Sequence, residues 1–267
     1  MHWIDTHIHL DASEYAGQQQ ALIASARTVG VGGWVVPAVE PANFAVVREW
    51  AHRTPGAGYA LGIHPMVVDR MPDSALEVLQ AQLQAHQNDP KLLAVGEIGL
   101  DYFVPNQDLA KQQRFFTAQL KLAARYDLPV LLHVRRSVDH IAKYLRLHPV
   151  RGGIAHAFNG SAQQAQSLID LNLCLGFGGA ATYSRAVQIR ERLVTVPAHA
   201  IVLETDGPDI APEWLAKQVN PPAALAGIGA VLAGLRGMDE QAFADVCAAN
   251  SLAALPKLQG ALAVQSI

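Results

Sequence analysis

The sequence predicts a single (β/α)8 TIM barrel with a metal site at its C-terminal rim. Three observations lead there: eight short apolar runs, amphipathic stretches of helical length between them, and polar residues gathered where the runs end. The runs are Trp3–His9, Gly33–Ala38, Tyr59–His64, Leu92–Gly99, Pro129–Val134, Gly153–Phe158, Leu173–Gly178 and Ile201–Asp206. Each covers about 5–8 residues rich in Val, Ile and Leu, as strands covered on both faces should be. Helices are expected over Gln19–Val29, Phe44–Arg53, Ser74–His86, Asp108–Tyr126 and Val138–His148. Successive runs start roughly 20–37 residues apart, the length of one βα unit. Pro221–Leu255 adds two Ala/Leu-rich helices that would close the outer ring. No Pro/Ser-rich linker intervenes, so residues 1–267 are expected to form one domain. A doubly wound open sheet is the alternative, but no glycine fingerprint follows the first run.

Composition narrows the functional classes. Half the residues are apolar (51%) and only 16% are charged, which suits a globular core and excludes a disordered chain. The net charge is −3 and no Lys/Arg run stands out, so the electrostatic footprint of a tight duplex-DNA binder is missing. Such a balance still permits a nuclease that grips a few phosphates inside its site. Residues 1–10 carry Asp5, His7 and His9 and do not read as a signal peptide, and no apolar run reaches a membrane span. A cytoplasmic location is therefore expected. Cys174 and Cys247 lie far apart in Ala/Leu-rich surroundings and are expected to be buried thiols.

The polar residues point to metal chemistry. Of eleven histidines, His7, His9, His64, His133 and His156 fall at or near the C-terminal end of a run. Glu97 is placed at the end of the fourth, and Glu204 and Asp206 at the end of the eighth. A barrel converges these ends on one mouth, and polar groups there are costly unless paired or coordinated. His7 and His9 are two apart, so strand alternation turns both to one face and one cation. A lone His-x-His pair is weak evidence. Joined by Glu97, His133, His156 and Asp206 from four other strands, it becomes a six-ligand set. Six ligands exceed the needs of one tetrahedral ion, so two divalent ions are expected. The simplest division places His7, His9 and Asp206 on one, His133 and His156 on the other, and Glu97 between them. Zn, Mn and Fe suit the imidazoles, and Mg2+ suits the carboxylates and open water positions.

Neighbouring residues receive supporting roles. Asp206, at the very end of its strand, could also orient the attacking water and take its proton. Glu204, one layer deeper, would hold a histidine or water, with a direct catalytic role as the alternative. His64 could bond a substrate phosphate or the leaving oxygen, or simply be satisfied by backbone. Arg135 shares a side with His133 and is a candidate clamp for an anionic group, whereas alternation sends Arg136 outward to solvent or a helix cap. Asp101 and Tyr102 line the mouth, or Asp101 caps a loop. Asp11 is expected to cap a turn or helix. His2, His52, His86, His140, His148 and His199 read as surface residues.

The motifs together resemble the TatD-type deoxyribonucleases of the amidohydrolase superfamily. They are Asp5-Thr6-His7-Ile8-His9-Leu10-Asp11, Gly62-Ile63-His64-Pro65, Gly96-Glu97-Ile98-Gly99-Leu100-Asp101, Leu132-His133-Val134-Arg135, His156-Ala157-Phe158-Asn159-Gly160 and Leu203-Glu204-Thr205-Asp206. They occur in that family's order and span nearly the whole chain. The resemblance implies a metal-dependent hydrolase that cleaves DNA phosphodiesters through a metal-bound hydroxide, often as a 3′→5′ exonuclease on single strands. It implies metal ligation by the same six residues and membership of the site for His64 and Glu204. Val219-Asn220-Pro221-Pro222 departs from the family pattern, which usually has an arginine there. Gly207 replaces a usual Ala, and Asn250–Leu255 lacks the family's Phe.

The expected substrate is thus a DNA end or short single strand, taken by a monomer. Nothing identifies a protein partner. Another ester, an amide or a lactone is the alternative substrate on the same scaffold. Relatives with that chemistry often place a lysine on the fourth strand, where this chain has Glu97. A non-catalytic binding protein on the same fold is a third reading, opposed by the complete ligand set.

Overall fold

The computed structural model describes residues 3–263. Eight strands form one all-parallel sheet in the order β1 to β8: Trp3–Asp5, Val31–Pro37, Ala57–Leu61, Leu92–Asp101, Val130–Arg135, Gly153–Ala155, Leu173–Phe177 and Ile201–Leu203. Helices α1 (Gln19–Thr28), α2 (Phe44–Arg53), α3 (Ala75–His86), α4 (Leu109–Arg125), α5 (Val138–Leu147), α6 (Ala162–Ile169) and α7 (Val187–Thr195) link successive strands, and α8 (Ala224–Leu235) and α9 (Glu240–Ala254) follow β8. The predicted barrel is therefore the observed one. Closure runs through residues just past the two terminal strands: Thr6 N–H donates to Leu203 O at 3.0 Å, and Ile8 pairs in parallel with Gly207.

Four strands end three or four residues earlier than the sequence suggests. His7, His9, His64, His156, Glu204 and Asp206 all lie beyond the last residue of β1, β3, β6 or β8. At these rims the chain leaves its ladder and turns, with Ala157 and Asp206 at φ of 45° and 54°. The fourth strand errs the other way. Glu97 lies inside β4, not at its end, and pairing with β5 shifts register between Val95 and Ile98. Gly99 (φ 151°) continues that strand where a Cβ would collide with the His133 carbonyl.

The two ends of the barrel are chemically opposite. The N-terminal end is packed by Ile4, Leu93, Leu131, Ile154 and Val202, each buried and second in its strand, in one cluster with Val35 and Ala60. A tenth helix, α10 (Leu258–Ala263), lies against this cluster through Leu258 and Ala261. The sequence suggested no helix there, because six residues including Gly260 carry too little periodicity. Cys247 is buried as expected, but Cys174 is only half-buried, with its thiol 3.9 Å from His199 O. No helix among the described residues is long and apolar enough to cross a membrane.

Candidate metal centre

At the C-terminal end the side chains meet around one carboxylate. Glu97, only 2% exposed, turns its two oxygens to two groups of residues. Oε2 lies 3.1 Å from His7 Nε2 and 4.0 Å from His9 Nε2, and Asp206 Oδ1 stands 3.7 and 3.8 Å from those same nitrogens. Oε1 lies 3.1 Å from His133 Nδ1, 2.9 Å from His156 Nε2 and 3.2 Å from His64 Nε2. All six residues predicted as ligands are thus brought together. His156 sits between the groups, its ring stacked on His7 with centroids 4.0 Å apart. Ligand atoms lie within metal-sharing reach in the sets His7–His9–Glu97, His7–His156–Asp206 and His64–Glu97–His133.

The donor set fits divalent cations. His7 is fully buried, yet neither ring nitrogen has a hydrogen-bond partner of good geometry, and the same holds for His156 Nδ1 and Glu204 Oε2. Buried polar atoms are rarely left unpaired without an ion, water or functional reason. His133 shows the usual orientation of a ligand: Nδ1 faces Glu97 while Nε2 sits 3.0 Å from Asp101 Oδ2. Burial lowers the His7 pKa to about 3, helped by neighbouring His156 and opposed by Glu97, so its imidazole is neutral and competent to ligate. Burial alone would also discharge His156, but the charges of Glu97, Asp206 and Glu204 outweigh it and raise that histidine to about 10. For Glu97, burial opposes ionisation, and the surrounding histidines overcome it and hold the carboxyl well below its usual range. Without metal, the centre is an ionised carboxylate partly neutralised by protons on imidazole, and cations binding there would displace such protons.

Other predicted residues take their places around this centre. Burial pushes Glu204 up to about 8. Its Oε1 accepts the Ala157 N–H and lies 3.8 Å from His156 Nδ1, behind that histidine and beyond hydrogen-bond distance. Gly176 leaves room for it, since a Cβ there would overlap the Glu204 carboxylate. His64 receives the Met66 N–H on Nδ1 at 3.2 Å. Asp101 is fully buried and takes the loop-capping role, accepting the Phe103 and Val104 N–H groups beside its contact to His133, and neither it nor Tyr102 lines the cleft. Arg135 lines the cleft, as predicted, and so does Arg136, which was expected to face away. Asp11 caps no helix; it accepts from the Asn43 side chain at 2.8 Å. His52, His86, His140, His148 and His199 stay outside the cleft, and His2 lies outside the described residues.

Two structural residues escaped the sequence reading. Asp5 joins the exits of β1 and β8, accepting Thr205 Oγ1–H at 2.6 Å, Thr205 N–H at 2.9 Å and His7 N–H at 3.3 Å. Its position two residues before His7 was the available clue. Asn220 donates to Thr205 O at 2.8 Å and Asp209 O at 3.0 Å, bracing the loop that carries Asp206. Its contacts are long-range, and only the departure at Val219–Pro222 marked the region.

Comparison with known proteins places this geometry in context. A family model described as TatD related DNase matches residues 4–256. An Escherichia coli K12 protein named uncharacterized metal-dependent hydrolase YjjV is 41% identical over 235 residues, covering 88% of this chain and 90% of the relative. The crystal structure of YjjV superposes with a TM-score of 0.90 at 39% identity, covering 95% of this chain and 98% of the other. A Klebsiella pneumoniae protein named 3′-5′ ssDNA/RNA exonuclease TatD is 30% identical over 244 residues, covering 89% and 91%.

Proposed function

Because the chain belongs to the TatD-related DNase family of metal-dependent hydrolases, we propose that it cleaves phosphodiester bonds of single-stranded DNA from the 3′ end, using two divalent cations. The observation that carries this reading is the division of Glu97, one oxygen toward His7, His9 and Asp206 and the other toward His133 and His156. In this assignment His7, His9 and Asp206 would hold one ion and His133 and His156 the second, with Glu97 shared between the two groups. Mg2+, Mn2+ or Zn2+ so placed would supply Lewis acidity and neutralise charge developing on a phosphoryl group.

The chain's own groups do the rest. Asp206, 14% exposed at the cleft floor, is positioned to take a proton from the attacking water. With Nδ1 of His64 accepting from Met66, its proton sits on Nε2, where it can donate to a substrate oxygen. Glu204 keeps His156 in place from behind. Arg135 reaches for an anionic group at the mouth. The exonuclease name of the K. pneumoniae relative supports single strands as substrate, and the cleft, about 730 Å³, has room for a strand end.

The test is cleavage of 5′-labelled single-stranded DNA under each of the three metals, with and without chelator, beside Glu97→Ala. The expected result is a ladder shortening from the 3′ end, abolished by chelator. Losing the shared ligand should slow it about a thousandfold, since metal charge stabilisation is worth several kcal/mol. Wild type that cuts no faster than the variant under all three metals would refute the nuclease reading.

A further inference from the structure

The loop after β4 places Phe103 at the mouth of the cleft, 45% exposed. Two consecutive arginines lie over its ring, Arg135 with Cζ at 3.8 Å from the centroid and Arg136 at 4.6 Å. Side chains of neighbouring strand residues would point to opposite faces. Here β5 ends at Arg135 and Arg136 takes a left-handed φ of 56°, and both guanidinium groups come to the one aromatic ring.

The arrangement is tied to the metal centre. Asp101, which contacts His133, accepts the Phe103 N–H at 2.8 Å, and Tyr102 N–H donates to Arg135 O at 2.9 Å. Neither arginine has a carboxylate partner among the described residues. Two like charges held together by cation–π contact, with no acid to offset them, leave an anion-binding position open.

We infer that Arg135 and Arg136, held by Phe103, clamp a phosphate of the strand other than the one being cleaved. This rests on the phosphodiesterase reading. The scissile phosphate belongs over Glu97 and its histidines, so a second cationic position is useful only to a substrate with more than one phosphate. The clamp thus makes the enzyme prefer an oligonucleotide over an isolated phosphodiester. It also supplies, from the β5 exit, positive charge that the Asn220–Pro222 stretch lacks.

The test compares kcat and KM for a single-stranded oligonucleotide with those for bis(p-nitrophenyl) phosphate, using metal-loaded wild type, Arg136→Gln and Phe103→Ala. Metal content and thermal midpoint verify that each variant is folded and loaded. The clamp predicts that kcat/KM for the oligonucleotide falls about tenfold relative to the small diester in Arg136→Gln, mainly through KM. It also predicts that the slope of log KM against log salt flattens by about 0.7, the value of one lost phosphate contact on a single strand. Phe103→Ala should move both in the same direction by a smaller amount. Variants that alter both substrates equally, or keep the wild-type salt slope, would overturn the clamp alone. Wild type that hydrolyses neither substrate would overturn the phosphodiesterase reading and the clamp with it.

Discussion

His64 shows how a single hydrogen bond separates two roles. By distance it could be a ligand, since its Nε2 is as near to Glu97 as that of His7. Yet its Nδ1 accepts from Met66, and a neutral imidazole that accepts at one nitrogen carries its proton on the other. A protonated Nε2 donates and does not ligate. Burial keeps the ring neutral against the pull of Glu97. Accordingly, His64→Asn should lower kcat about a hundredfold, the usual scale for a lost proton donor, while the purified variant keeps the wild-type metal content by elemental analysis. Loss of an ion from that variant would make His64 a ligand instead. At this scale the sequence was most informative where alternation held, as for His7 and His9, whose shared face needed only their spacing. It misled at Arg136, because one left-handed residue reverses the direction alternation assigns.

Elements are joined at the opposite end of the barrel by Asp89, just before β4. Its carboxylate meets Arg48 Nε at 3.3 Å and His52 Nε2 at 2.8 Å on α2, the Tyr59 hydroxyl at 3.0 Å on β3, and the Lys91 N–H at 3.0 Å. Burial would raise its pKa, but the bonds from His52, Lys91 and Tyr59 outweigh that and hold it below its ordinary 3.8. A carboxyl depressed on folding contributes stability that is fully present above pH 3.8 and lost as pH falls through the lower folded value. Asp89→Asn should therefore cost about 1–3 kcal/mol near pH 7 by urea unfolding, with the deficit shrinking as pH drops below 4. A deficit independent of pH would show that the charge is not what matters. This hub was invisible in the sequence because its side-chain partners Arg48, His52 and Tyr59 are 30 to 41 residues away. By contrast, β2 and α2 were legible from local pattern alone, each within a residue or two of its observed span. Strand ends at the rim were not, because His7, His156 and Asp206 stay on the route of the strand while leaving its ladder.

The whole molecule divides its labour between two ends of one barrel. The N-terminal end is apolar and closed by α10, while the C-terminal end gathers five imidazoles and several carboxylates around Glu97. Periodic apolar runs revealed the barrel, and polar residues at their ends revealed which end carries the chemistry. Neither could reveal that Glu97 would present one oxygen to each ligand group, since that depends on a side-chain orientation fixed by four other strands. That orientation is what makes two ions per chain the expected occupancy. It is tested most directly by elemental analysis of wild-type protein loaded with Mn2+ or Zn2+ and freed of excess metal. Close to two ions per chain is the predicted result; a wild-type value that saturates near one would contradict the bridging role of Glu97.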